Sequence, residues 1–184
     1  MIKAVNIKKE VWPYLPYTGI LPLIAMYLIF RGGFWLVTLL HILIISFGYI
    51  AAYIDFRQKK IPNTLILVML CTWGFIFTLL FFMMPDFTID LLFDSMFGFV
   101  VGGGMFLIVY VVSKKGLGGG DVKFMAATGL YMGVFGIIPV ILYGTILAAL
   151  TALALMLFRR IGRKDTIPLA PFLYIGILLS IFFA

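Results

Sequence analysis

The sequence is poor in cysteine, histidine and charge. Of its 184 residues one is cysteine, one is histidine, and 11% are charged, with Asp and Glu together contributing seven. A single cysteine, Cys71, cannot close an internal disulfide or furnish a thiolate metal cluster. The single histidine, His41, stands in "LLHILI" without acids nearby, which makes a poor metal site and reads as an interhelical hydrogen-bonding residue. Scarce charge beside 64% hydrophobic residues and a mean hydropathy of +1.20 excludes an ordinary soluble core. What is present instead is long charge-free sequence at 34–54, 64–84 and 124–158. Each run reaches the ~20 apolar residues that cross a bilayer as a helix, so the expected fold is an all-α, polytopic membrane bundle.

Seven spans are expected, at 14–30, 35–54, 64–84, 91–112, 122–133, 137–158 and 167–183. The run 124–158 would measure about 50 Å as one helix, against a hydrocarbon core of about 30 Å. A break is therefore expected at "GVFGIIP", where Gly133, Gly136 and Pro139 gather. If all seven cross, thirteen of the fourteen basic residues, all but Arg31, fall on one side. The positive-inside rule makes that side, with the N-terminus, cytoplasmic. The net charge of +7 then follows from topology and an anionic inner leaflet, with no nucleic-acid partner implied. The segment 14–30 ends at "LIFRGG" without a small-residue cleavage site and reads as a retained first helix. Residues 1–34 are thus expected to form a cytoplasmic N-terminus plus an extra helix ahead of a membrane domain at 35–184.

The acidic residues divide by position. Asp86 and Asp90 are expected in the outer loop "MPDFTID" and Asp94 about one turn into the fourth span, as solvated or helix-starting carboxylates. Asp55 closes the second span and Asp121 opens the fifth, in "GLGGGDVKF". Both reach the cytoplasmic edge of the apolar region, where an ionisable group needs a partner or a polar cavity. Two carboxylates at one depth suggest an aspartyl protease dyad, one acid ionised and the other protonated, acting on a water without metal or organic cofactor. The helix dipole assigns the proton to Asp55, at a C-terminus, rather than to Asp121, at an N-terminus. Gly116, Gly118, Gly119 and Gly120 carry no Cβ, so the backbone there can take positive φ and let an extended substrate strand lie close to it.

At these residues the chain resembles the type IV prepilin peptidase family, which includes archaeal preflagellin peptidases and tight-adherence pilus peptidases. Three segments carry the likeness, in the family's order: "DFRQKKIPN" at 55–63, "KGLGGGDVKFMAATGLYMG" at 115–133 and "TIPLAPFLYIG" at 166–176. The resemblance spans about residues 35–183. It implies that Asp55 and Asp121 are the catalytic pair of a membrane aspartyl endopeptidase. It also implies a prepilin or pseudopilin substrate, whose short basic leader is cut from an apolar helix at the cytoplasmic membrane surface. Many bacterial members carry paired Cys-x-x-Cys motifs associated with N-methylation, and with one cysteine methyl transfer is not expected here.

Other residues carry weaker signals. Lys123 lies about 200° round a helix from Asp121 and either snorkels to the membrane edge or touches substrate main chain. Pro62 and Asn63 turn the chain and cap the third span. Pro168 and Pro171 either widen the last span locally, exposing backbone groups, or form a simple helix entry. Gly102, Gly103 and Gly104 permit close helix contact. The alternatives to a prepilin peptidase are a presenilin or signal-peptide-peptidase type of protease, which cuts within the apolar core, and a non-enzymatic transporter or pilus-assembly protein. Lysines within seven residues of both acids place the pair at the membrane edge and favour the prepilin reading.

Overall fold

The computed structural model describes residues 35–113, 116–158 and 167–183. The expected first span, 14–30, and the basic clusters at 3–9, 114–115 and 159–164 lie outside the described residues. Five helices follow in order: α1 Trp35–Gln58, α2 Asn63–Met83, α3 Pro85–Val112, α4 Gly119–Leu157 and α5 Ala170–Phe183. The first four are long and apolar enough to cross a membrane, and α5 is a shorter apolar helix. Large side chains such as Phe82, Phe97 and Phe135 face outward, as a bundle solvated by lipid requires.

Local chemistry sets the helix ends. Lys59 takes a left-handed conformation, φ 52°, and its N–H closes on the Asp55 carbonyl at 2.8 Å, which terminates α1. Pro62 is extended and α2 starts at the next residue. Between α2 and α3 only Met84 is non-helical, because Pro85 is pre-set for a first helical position and has no N–H to satisfy there. Asp86 and Asp90 therefore lie within the first turns of α3 rather than in a loop, and Asp94 lies nine residues inside the helix rather than one turn.

The fourth helix breaks at Gly133, whose φ of 64° and ψ of −178° are not helical, while Pro139 is carried inside the second arm. The break reverses the chain. A Cβ placed on Gly102 of α3 would lie 2.5 Å from the Met125 carbonyl oxygen and 3.1 Å from Ile137 Cγ1. A straight helix would hold those two residues about 18 Å apart. Both arms, 119–132 and 134–157, thus run along the same stretch of α3. The glycine chosen at the turn has to adopt a φ that L side chains rarely take.

Small residues seat the arms. A Cβ on Gly98 would meet the Gly129 carbonyl oxygen at 2.3 Å, and one on Gly129 would meet the Gly98 oxygen at 2.1 Å. Gly102 and Gly103 pack on Met125 and Ala126 in the same way, whereas Gly104 meets nothing within 4 Å. The first arm also touches α2, where the Tyr131 hydroxyl donates to the Met69 carbonyl at 2.7 Å, and α1, where its ring meets Phe47 edge-on. The second arm packs on α5 through Gly144, Leu173 and Gly176, and the Ser180 hydroxyl donates to the Gly136 carbonyl. Helix α5 closes the ring against α1, with Tyr174 over Gly48. His41 hydrogen-bonds the Val37 backbone, one turn back in its own helix.

Candidate active site

Four chain segments meet at one end of the bundle: the last turn of α1, the 59–62 turn, the start of α4 and the start of α5. Asp55 is 5% exposed, and its Oδ2 accepts a hydrogen bond from the Ala170 backbone N–H at 3.0 Å. The Leu169 backbone also hydrogen-bonds the carboxylate, and the Lys59 charge lies nearby. The local sequence explains this contact. Pro168 keeps 167–169 out of helix and Pro171 suits a first helical turn, so α5 starts at Ala170 with its amide unpaired and aimed at Asp55.

Asp121 is the third residue of α4, and its own N–H bonds the Gly118 carbonyl at 3.1 Å. Its Oδ2 folds back so closely over the preceding loop that a Cβ on Gly118 would stand 2.8 Å from it. Its Oδ1 is buried without a hydrogen-bond partner among the described residues. The carboxylate lies within reach of the Asp55 charge. Two carboxylates so placed resist joint ionisation, which leaves one able to take a proton and the other able to give one.

The positive φ open to the loop glycines is not used there. Among the described residues the one glycine at positive φ is Gly133, and Gly118 is extended with φ −72° and ψ 136°. The loop reaches its turn through ordinary backbone angles, and its glycines serve close approach instead. Gly118 makes room for Asp121, while a Cβ on Gly120 would sit 3.2 Å from both Cβ and O of Ile61. Gly119 meets nothing within 4 Å. Asn63 makes no side-chain cap on α2; its Oδ1 accepts instead from Lys123 Nζ at 2.9 Å, tying the "IPN" turn to the glycine-rich segment. Pro168 lines a cavity of about 240 Å³ together with the apolar side chains of Ala148, Ala152 and Phe172.

The backbone groups of Leu169 and Ala170 that meet Asp55 have no side chain to advertise them. Their sequence signal is the flanking pair Pro168 and Pro171, through the alternative in which these prolines expose backbone groups.

The model of the type IV leader peptidase family matches residues 42–153. A prepilin leader peptidase/N-methyltransferase of Aeromonas hydrophila is 29% identical over 127 residues, covering 67% of this chain and 42% of that protein. A protein of the same description from Bacillus subtilis (strain 168) is 29% identical over 91 residues, 47% of this chain and 37% of its own length. The leader peptidase HopD of Escherichia coli is 32% identical over 91 residues, covering 46% of this chain and 58% of HopD. The chain therefore spans less than two thirds of each of these relatives. No solved structure matches.

Proposed function

The chain belongs to the type IV leader peptidase family, and on that premise we propose that it is a membrane aspartyl endopeptidase that removes leader peptides from prepilin-like substrates, with Asp55 and Asp121 as its catalytic pair. The observation that carries this reading is the convergence of these two acids, far apart in sequence, at one end of the bundle and within each other's electrostatic reach. The cleaving end is the cytoplasmic one. Among the described residues all four basic side chains, Arg57, Lys59, Lys60 and Lys123, belong to the segments that meet there, while Asp86 and Asp90 start α3 at the other end.

Roles follow from the hydrogen bonds. Backbone N–H groups at the start of α5 favour the ionised form of Asp55, and Asp121 is the acid that holds the proton, the reverse of what its own helix alone implies. Asp55 accepts a proton from water as the water oxygen attacks the scissile carbonyl carbon, and the Asp121 carboxyl donates a hydrogen bond to the carbonyl oxygen as it gains negative charge. Collapse of the tetrahedral adduct breaks the C–N bond, with the proton on Asp55 passing to the leaving amine.

Co-expression with a prepilin tests the reading. Leader removal by the wild type, lost in both Asp55→Ala and Asp121→Ala, is expected; cleavage that survives either substitution removes that residue from the mechanism.

A further inference from the structure

We propose that Asp94, an acid outside the catalytic pair, is a positioning residue that clasps the chain reversal in α4 and thereby sets where Asp121 is presented. The geometry is specific. Asp94 Oδ1 accepts the Val134 backbone N–H at 3.0 Å, the amide that would otherwise continue the first arm's helical ladder. Its other oxygen occupies the space beside Gly133, where a Cβ would lie 1.8 Å from Oδ2. The break thus has three parts that need one another: a glycine able to take φ 64°, an orphaned amide, and a carboxylate from the neighbouring helix that satisfies it. A half-buried carboxylate inside an apolar helix is costly unless something is gained from it. Here the carboxylate supplies the acceptor that the Val134 amide, freed by the reversal, lacks within its own helix.

The consequence for catalysis is a lever. Asp121 is twelve residues from Gly133, about 18 Å along the first arm. A rotation of about 5° at the reversal therefore moves the carboxylate by about 1.5 Å, and a displacement of about 1 Å can cost on the order of a hundredfold in rate. The glycine contacts with α3 fix the arm's seat sideways, and the clasp fixes its pitch.

The inference rests on the proposed peptidase reading for its catalytic readout but has a second readout that does not. A Cβ on Gly120 would lie 3.2 Å from Ile61 Cβ, so Ile61→Cys with Gly120→Cys, in a Cys71→Ser background, should oxidise to a disulfide when the first arm is seated. Asp94→Ala is expected to lower disulfide yield severalfold and, in the protein without the cysteine pair, to lower kcat about 10- to 100-fold with KM within about twofold. Asp94→Asn, which keeps an acceptor oxygen, should restore most of both. If the alanine variant fails to fold, Asp94→Glu, with its carboxylate displaced by one methylene, should show the same losses in milder form. Wild-type disulfide yield and kcat in Asp94→Ala, or in Asp94→Glu where that variant decides, would overturn the proposal. A wild-type protein that cleaves no prepilin would instead remove the functional reading, leaving the disulfide yields to decide the clasp.

Discussion

The Asp55 carboxylate accepts a hydrogen bond from the Ala170 backbone amide at 3.0 Å, joining the last turn of α1 to the first residue of α5. One catalytic candidate is therefore held by a backbone group whose availability depends on where a different helix begins. This arrangement makes the position of the proton testable. In infrared spectra the protonated carboxyl band should vanish in Asp121→Asn and persist in Asp55→Asn. Both variants should lose leader cleavage by about a thousandfold, within the range for removing a general acid or base.

Ala170→Pro removes the donor while keeping a residue that suits a first helical position. Helix α5 should persist in circular dichroism, and leader cleavage should fall about tenfold, in keeping with about 1.5 kcal/mol for a hydrogen bond to a charged group. Unchanged cleavage would show that Asp55 does not depend on this amide.

Neighbouring glycines should respond oppositely. Gly118→Ala places a methyl group 2.8 Å from Asp121 Oδ2 and should lower cleavage about tenfold or more, as expected for a displaced catalytic group. Gly119→Ala enters open space at the start of a helix and should leave cleavage intact while raising stability by about 0.5 kcal/mol. Parallel assays of rate and melting temperature compare the two.

Lys123 and Asn63 should be coupled. A double-mutant cycle of Lys123→Met and Asn63→Leu, read by thermal unfolding in detergent, should give an interaction of about 0.5–1 kcal/mol, modest because the pair is exposed. Additive effects would mean the contact contributes nothing measurable.

Gly129→Val should destabilise the fold more than any of these. Its added carbons would have to displace the Gly98–Phe99 backbone, and overpacking at a backbone contact costs about 3 kcal/mol or more. The measurement is the melting temperature of purified protein in detergent, with Gly104→Val, which meets open space, as the matched control.

Composition alone pointed to a helical membrane protein, because charge-free runs of such length fit spanning helices and lack the polar alternation of a barrel strand. Sequence also located the two acids, since carboxylates are conspicuous where charge is scarce, and it anticipated a break near Gly133 because one unbroken helix would overshoot the bilayer. Tertiary structure alone decided what surrounds them. Asp94 looked like a helix-starting carboxylate because its partner, the Val134 amide, is forty positions away and exists as a free donor only once α4 has turned back. The helix dipole assigned the proton to Asp55 because its own helix points a C-terminus at it, and the amides that bear on that assignment arrive from α5. Electrostatics and hydrogen bonding act over a few ångströms in space, so the charge state of a buried group is set by whichever helix ends pack beside it, and the order of residues along one helix does not record that.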